Sequence, residues 1–211
     1  MPTKTTTAIL TLAAALAMGG LGAIGGCART VIENPLNTNY PAGDLDGDLN
    51  YWHTLPTRSA VCNDEGLHGI FLLADGEDTL GSYEARVMEA KKRGYLPEDW
   101  AEAANLSMRR GTLARSVCVI CKIKGGVMMQ VFGPRARFAI RELVYMQIMG
   151  DPSTEAQSIT GLEFLGVISK AQDYINLAEL AAEVPADEKA ADAPVAAPVT
   201  EPTPEPAAGT K

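Results

Sequence analysis

The chain has few of the residues on which most enzyme sites depend. Among its 211 residues there are two histidines and four cysteines, and aromatic residues make up 6%. Neither histidine stands in a nucleophile–base pattern, and no nucleophile-elbow or phosphate-loop motif is present. A carboxylate pair for acid–base work stays open in a chain this rich in Asp and Glu. The sequence therefore predicts a non-catalytic protein with no cofactor and no metal.

Positive charge is the minority charge of the chain. Lys and Arg number 18 against 26 Asp and Glu, for a net charge of −8. Because nucleic acids are bound by Lys and Arg that neutralise phosphates, this balance argues against a nucleic-acid partner. One local exception is a cluster that begins with Arg109, Arg110 and Arg115 and continues with Lys122, Lys124, Arg135, Arg137 and Arg141. This cluster suggests a small anion-binding patch, with Arg109, Arg110 and Arg115 as its candidate ligand-binding residues; the alternative is that the cations lie on the solvated faces of helices.

No run of residues alternates strictly between apolar and polar side chains, so no β-sheet is predicted. Leu67, Ile70 and Phe71 follow the spacing of one helical face, after Asn63 or Asp64 as a cap. Ser82 reads as the next N-cap. Helices are also predicted over 112–123, 135–149 and from Gly161 to about Ala182, whereas 127–132 is ambiguous between a helical turn and a strand. The fold class predicted is all-α, with about five to seven short helices.

The N-terminal segment, residues 1–27, has the layout of a secretory signal. Lys4 supplies a positive charge, residues 8–18 are apolar, and small residues lead up to Cys27. A cysteine at this place resembles a bacterial lipobox, in which the thiol is acylated and becomes the new N-terminus. The resemblance implies a palmitate-type membrane anchor on Cys27 and a place in the cell envelope, and Ala28 favours the periplasmic face of the outer membrane. A signal cleaved without lipidation and a retained transmembrane anchor are the alternatives.

Composition divides the remainder of the chain into three parts. Residues 28–47 are polar and rich in turn-forming types, and they are predicted to be a tether. Residues 48–182 carry nearly all the large apolar side chains and suffice for one domain with a core. Residues 183–211 are rich in Pro, Ala and Glu without an aromatic residue, so this tail is predicted to be disordered.

The predicted domain contains a possible internal repeat. A helix, a turn, a polar loop and a second helix occur in residues 85–123 and again in 139–175. The loops contain Pro97 and Pro152, respectively. A unit of this size cannot bury its apolar face alone, so the two copies are expected to pack together.

The repeat resembles S-layer homology modules, in which an Ile-Thr-Arg-Ala-Glu-like stretch opens the second helix. In the first copy Arg110 falls on the motif's Arg, and Thr112 replaces its Glu. In the second copy Thr160 and Glu163 match, and Gly161 replaces the Arg. Such modules usually work in threes, and two copies are recognisable here. The resemblance implies that the matching Arg and acidic residues help to bind an anionic cell-wall polysaccharide.

Residues 67–86 also look like a group of bacterial lipoproteins that share the layout of a signal followed by a helical domain. That resemblance implies no particular activity.

Two short patterns suggest chemistry of other kinds. Cys118 and Cys121 form a CxxC, but they lie in the middle of a predicted helix with no strand before it, so buried structural thiols are expected. A bridge from Cys62 to either of them is an alternative. Residues 44–50 place acidic side chains at alternate positions, as a calcium loop does, yet Leu49 stands where that loop needs Gly. An acidic turn is expected there.

These patterns together predict an envelope lipoprotein with a structural or interaction role. Its expected partners are the membrane, through acylated Cys27, and an anionic wall polymer or an envelope protein. A protein–protein scaffold is the first alternative, using the apolar side chains of Met128, Met129, Val131 and Phe132. The second alternative is a periplasmic thiol protein that uses the CxxC.

Overall fold

The computed structural model describes residues 29–151 and 154–183, which are all-helical apart from isolated bridges. The predicted signal with Cys27, the first residue of the predicted tether, Ala28, and residues 184–211 of the predicted tail lie outside these residues. Seven helices and one 3-10 turn, Leu55–Thr57, confirm the predicted fold class within the described ranges. The helices are α1 Leu45–Thr54, α2 Asn63–Asp75, α3 Tyr83–Lys92, α4 Arg110–Ile120, α5 Val127–Phe132, α6 Ala136–Tyr145 and α7 Gly161–Glu183.

Local capping chemistry explains where α2 and α3 begin and end. The Cys62 sulfur accepts a bond from the Glu65 amide, and the Glu65 carboxylate accepts one from the Cys62 amide at 2.8 Å. This reciprocal capping box starts α2 earlier than the predicted cap at Asn63 or Asp64. Ser82 caps α3 as predicted, and Gly94, with φ of 76°, lets the chain turn away after it.

The three helices α2, α4 and α7 begin around one point in the interior. Val61, Met108 and Ile159 each lie two residues before one of these helices, and none is more than 1% exposed. Their backbones bond in a closed cycle: the amide of Val61 donates to Ile159, that of Ile159 to Met108, and that of Met108 to Val61, at 2.8–3.2 Å. This helix-start ring relates three segments, one more than the two copies predicted from the sequence.

The two predicted repeat copies correspond to α3–loop–α4 and α6–loop–α7. The predicted face of α4 is buried at Leu113 and Val117, and α4 packs mainly against α6. In α7 the equivalent side chains Phe164, Ile168 and Ala171 are buried as well. Segment 127–132, ambiguous in sequence, is the short helix α5. Helix α6 ends earlier than predicted, before a turn with Gln147 at φ of 59°.

Residues 29–43, which we call the N-terminal strap, are packed along the helical domain. The Ile32 amide donates to the carbonyl of Asn105 at 2.8 Å, and the Leu36 amide donates to the Glu65 carboxylate at 2.7 Å. Thr38 is 3% exposed. In these residues the structure differs from the predicted tether, because polar side chains of the strap are satisfied by polar groups in the domain interior.

Among the described residues, those up to Gln172 form one compact unit, and those from Asp173 onward belong to a second. The described part of the second unit is the C-terminal part of α7. Within residues 29–151 and 154–183, no helix combines the length and the apolar character that crossing a membrane requires.

Candidate functional site

A groove of about 430 Å³ lies where the loop after α3 faces the beginnings of α4 and α6. We call it the arginine groove; the residues that matter for its chemistry are Trp100, Glu102, Arg109, Arg115, Arg135 and Glu155. Its size is within the range of sites that bind small ligands or one segment of a polymer. We therefore take this groove as the candidate binding site.

Two of the three predicted arginines line this groove. Arg109 precedes α4, and its guanidinium lies 3.7 Å from the Glu102 carboxylate. Its Nε is buried and has no hydrogen-bond partner among the described residues. Arg115, in α4, donates from Nε to the carbonyl of Gly94 at 3.1 Å, and burial lowers its pKa from the ordinary value. Arg109 therefore reaches the opening from the residue before α4, and Arg115 reaches it from within that helix.

The third predicted arginine, Arg110, is placed elsewhere. It is 8% exposed and forms an ion pair with Glu163 at the start of α7. It lines a different depression, with Met149 and Lys170. Arg109 is the extended residue before α4, with φ of −86° and ψ of 144°, whereas Arg110 is the first helical residue, and the two side chains reach different surfaces. The predicted cluster is thus divided between two surfaces.

Sequence reasoning missed Trp100, and it included Arg135 in the basic cluster without making it a candidate site residue. Arg135 directly precedes α6 and joins the groove from a position 20 residues after Arg115. Trp100 is held in place because its Nε1 donates to the Tyr83 hydroxyl at 3.2 Å, which in turn donates to the Glu102 carbonyl at 2.7 Å. Burial raises the pKa of Tyr83 to about 12. In the sequence, Trp100 can be recognised only as an aromatic residue next to acidic residues in a predicted loop, which is a weak signal.

A packing constraint accounts for the glycine that replaces the motif's arginine in the second copy. A Cβ on Gly161 would clash with the backbone carbonyl oxygen of Leu55. The Gly161 amide donates to the Arg58 carbonyl at 3.0 Å, which holds this helix start close to the preceding segment. No side chain fits at the position without backbone movement.

The CxxC residues are free, buried thiols. Cys118 and Cys121 donate weakly to the carbonyls of Ala139 and Ala171 at 3.9 Å. Burial raises the pKa of Cys118 to about 12 and that of Cys121 to about 11. Cys62 is free and buried too, so the alternative bridges are not formed. Raised pKa values suppress the thiolate that redox exchange requires.

The calcium-loop pattern is helical in the structure. Asp46 and Asp48 lie in the first turn of α1, which begins at Leu45, so the predicted acidic turn is the N-terminus of a helix. Acidic side chains stabilise such a position by facing the positive end of the helix dipole. No group of three His, Cys, Asp or Glu residues capable of holding a metal ion occurs within the described ranges.

A buried polar cluster beneath the strap was also missed. The Tyr40 hydroxyl lies 2.5 Å from Nε2 of His68, whose Nδ1 lies 2.7 Å from the Asp78 carboxylate. Arg86 donates to Asp78 at 2.6 Å and to the Thr38 carbonyl at 2.6 Å. Because these groups are enclosed and satisfy one another, the cluster fastens the strap to α2 and α3. Thr38 and Arg86, at its two ends, are 48 positions apart in the chain, so no local pattern marks the cluster.

Comparison of the chain with protein-family models, with curated proteins and with solved structures finds no match.

Proposed function

We propose that this chain is a non-catalytic, lipid-anchored protein of the cell envelope whose domain binds an anionic wall polymer in the arginine groove. One observation carries the proposal: Arg109 and Arg115, at α4, and Arg135, just before α6, line one groove with Trp100. Arg115 and Arg135 form no ion pair among the described residues. Among the described residues no carboxylate lies within ion-pair distance of either guanidinium, so both can bind a ligand, although Asp99 acts electrostatically on Arg115 from farther away.

The mixture of groups in the groove suits a polymer made of sugars with anionic substituents. Guanidinium groups bind phosphate or carboxylate oxygens through paired hydrogen bonds. The Trp100 indole presents an apolar surface that can pack against the C–H face of a sugar ring. Glu155 and Asp99, also in the lining, can accept hydrogen bonds from hydroxyl groups.

The resemblance to S-layer homology modules supports this ligand class. Those modules usually work in threes, and the helix-start ring adds α2 to the two copies seen in the sequence. The Arg110–Glu163 ion pair joins the starts of two such helices. We therefore assign Arg110 to the packing of the copies and place polymer binding on Arg109, Arg115 and Arg135.

Cosedimentation with purified cell-wall material tests the groove. The described contacts all lie between residues 29 and 183, so the unanchored chain 28–211 retains the helical domain. Arg109→Gln and Arg135→Gln should each weaken retention about tenfold, since a hydrogen bond to a charged group contributes about 1.5–3 kcal/mol. Higher salt should weaken retention of the wild type as well.

Lys92→Gln is the matched control, because Lys92 is a 78% exposed cation on α3 outside the groove. It should leave retention unchanged. Equal retention of wild type and both groove variants at low salt would contradict polymer binding at this site. Retention lost equally in the control would indicate attraction by overall charge rather than a groove.

The proposed anchor has a test of its own. We infer that Cys27 is acylated and holds the domain at the periplasmic face of the outer membrane; the lipobox-like residues before Cys27 support this. Incorporation of labelled palmitate should disappear in Cys27→Ser and persist in Cys121→Ser, whose thiol is buried. Labelling that survives Cys27→Ser would refute the anchor.

The redox alternative gains no support from Cys118 and Cys121, since burial raises the pKa of both thiols. The scaffold alternative has a specific observation in its favour. Met128, Val131 and Phe132 are exposed, although Met129 is buried. This apolar surface lies on α5, and it adjoins the arginine groove because the Arg135 guanidinium lies 5.8 Å from the Phe132 ring centroid.

A further inference from the structure

Helix α5 exposes an unusually apolar surface. Val127, Met128, Val131 and Phe132 are 74%, 56%, 67% and 49% exposed, and we call these four side chains the α5 patch. All lie on a helix of six residues. The Phe132 ring stacks on the Phe138 ring, with ring centroids 6.2 Å apart. Contiguous apolar exposure of this kind marks a surface that meets a partner.

Positive charge surrounds the α5 patch in a chain whose net charge is negative. Residues 122–142 contain one acidic residue, Glu142, against five cations. Glu142 accepts a hydrogen bond from the Gly126 amide at 3.2 Å. The cations are Lys122, Lys124, Arg135, Arg137 and Arg141, all exposed.

A depression of about 540 Å³ connects the patch with two of these cations. Met128 and Phe138 form apolar parts of its lining, and Arg137 and Arg141 stand beside them. Both arginines belong to α6, one turn apart, so their guanidinium groups lie on one face of that helix. Such a pocket offers an apolar surface and two phosphate-binding groups within the same opening.

We propose that the α5 patch docks on an anionic phospholipid bilayer, with Arg137 and Arg141 at lipid phosphates and the apolar side chains in the acyl boundary. Clustered cations around exposed aromatic and aliphatic side chains are the chemistry of interfacial membrane binding. A second copy of the chain fits poorly, because a symmetric contact would bring the two sets of cations against each other. The inference uses Arg137 and Arg141, which lie outside the arginine groove, and does not rest on polymer binding.

Vesicle cosedimentation of the unanchored chain 28–211 tests the docking. Vesicles of phosphatidylcholine alone and of phosphatidylcholine with phosphatidylglycerol are compared at low and high salt. The wild type should partition onto the anionic vesicles and be released by salt. Arg137→Gln and Arg141→Gln should each lower the partition coefficient about fivefold. Val131→Ser with Phe132→Ser should lower it about tenfold.

Two controls share the exposure and chemistry of the altered residues. Lys92→Gln removes an exposed cation from α3, and Leu45→Ser removes an 80% exposed apolar side chain from α1. Both should partition as the wild type does. Because the groove variant Arg109→Gln should also leave vesicle binding intact, failure of docking and failure of polymer binding are separable.

Three outcomes would overturn the inference. One is no partitioning onto either kind of vesicle. Another is equal partitioning onto both kinds, unaffected by the arginine variants. The third is a concentration-dependent dimer that Val131→Ser with Phe132→Ser abolishes while vesicles remain unbound, which would assign the patch to a second copy. Vesicle binding that depends on salt, on Arg137 or Arg141 and on the patch supports it.

Discussion

Nε of Arg86 lies 2.6 Å from Oδ2 of Asp78, and each of these two side chains is 1% exposed. The same guanidinium donates to the Thr38 carbonyl in the strap and to Asp64 in α2. One buried cation therefore joins α2, α3 and the strap. A charge in this position is stable only while its partners remain, because the interior cannot solvate it.

Replacing Arg86 by Met should destabilise the domain by about 3–5 kcal/mol. The substitution keeps much of the side-chain volume but leaves the buried Asp78 carboxylate without its guanidinium. Urea unfolding followed by circular dichroism gives the free energy of unfolding. Lys92→Ala, at an exposed position, should change it by no more than about 0.5 kcal/mol. An Arg86→Met protein as stable as the wild type would show that the cluster does not hold the strap.

Acid should remove a part of the stability that depends on Asp78. Burial alone would raise the pKa of this carboxyl, but bonds from His68, the Leu80 amide and Arg86 outweigh it and hold the pKa below the ordinary value. Since the unfolded pKa is about 3.9, the stabilisation is complete well above that pH and is lost as the pH falls below it.

The free energy of unfolding should therefore fall more steeply between about pH 5 and pH 3 in the wild type than in Asp78→Asn. Both proteins share the other carboxyl groups, so the difference in slope reports Asp78. The measurement is urea unfolding at a series of pH values. Parallel pH profiles would contradict the lowered pKa.

Two glycines of α7 should respond in opposite ways to alanine. Gly161→Ala should destabilise the domain by roughly 1–3 kcal/mol, because its Cβ would clash with the Leu55 carbonyl. Gly166 has open space around its Cβ position, so Gly166→Ala should stabilise the helix by about 0.5–1 kcal/mol. Thermal unfolding of the two variants makes the comparison. A tolerated Gly161→Ala would show that the two segments are not in tight contact.

The three described thiols should be nearly unreactive in the native protein. Burial raises the pKa of Cys62 to about 12, as it does for Cys118, and that of Cys121 to about 11. At pH 8 the thiolate population is then roughly two to three orders of magnitude below that of a free cysteine. Iodoacetamide labelling read by mass spectrometry should be slow in buffer and rapid in urea. Fast labelling of Cys118 in buffer would restore the redox alternative.

Helix positions were predictable where a short stretch of chain decides them. Ser82 and Thr160 cap the helices that follow them, and the Thr160 hydroxyl accepts from the Glu163 amide at 3.3 Å as an N-cap should. Apolar spacing identified the buried faces of α2, α4 and α7. These features depend on interactions within about four residues, which periodicity and capping rules describe.

The candidate site was predictable only in part. Arg109 and Arg115 line one groove, and their nearness in sequence made this pairing predictable. Arg110 is adjacent in sequence but turns to Glu163, while Arg135 and Trp100 arrive from other segments. Which neighbours face the same opening depends on the orientation of α4 against α6, and no local pattern encodes that.

The sequence by itself determined the all-α class, most helix positions in the described residues and the residue types available to a binding site. Tertiary structure decided that Val61, Met108 and Ile159 form a ring, that the strap is packed, and which arginines converge. Helix formation follows from bonds and capping between near neighbours. The helix-start ring, the packed strap and the arginine groove depend on contacts between residues tens of positions apart. Those contacts form only when the whole core packs.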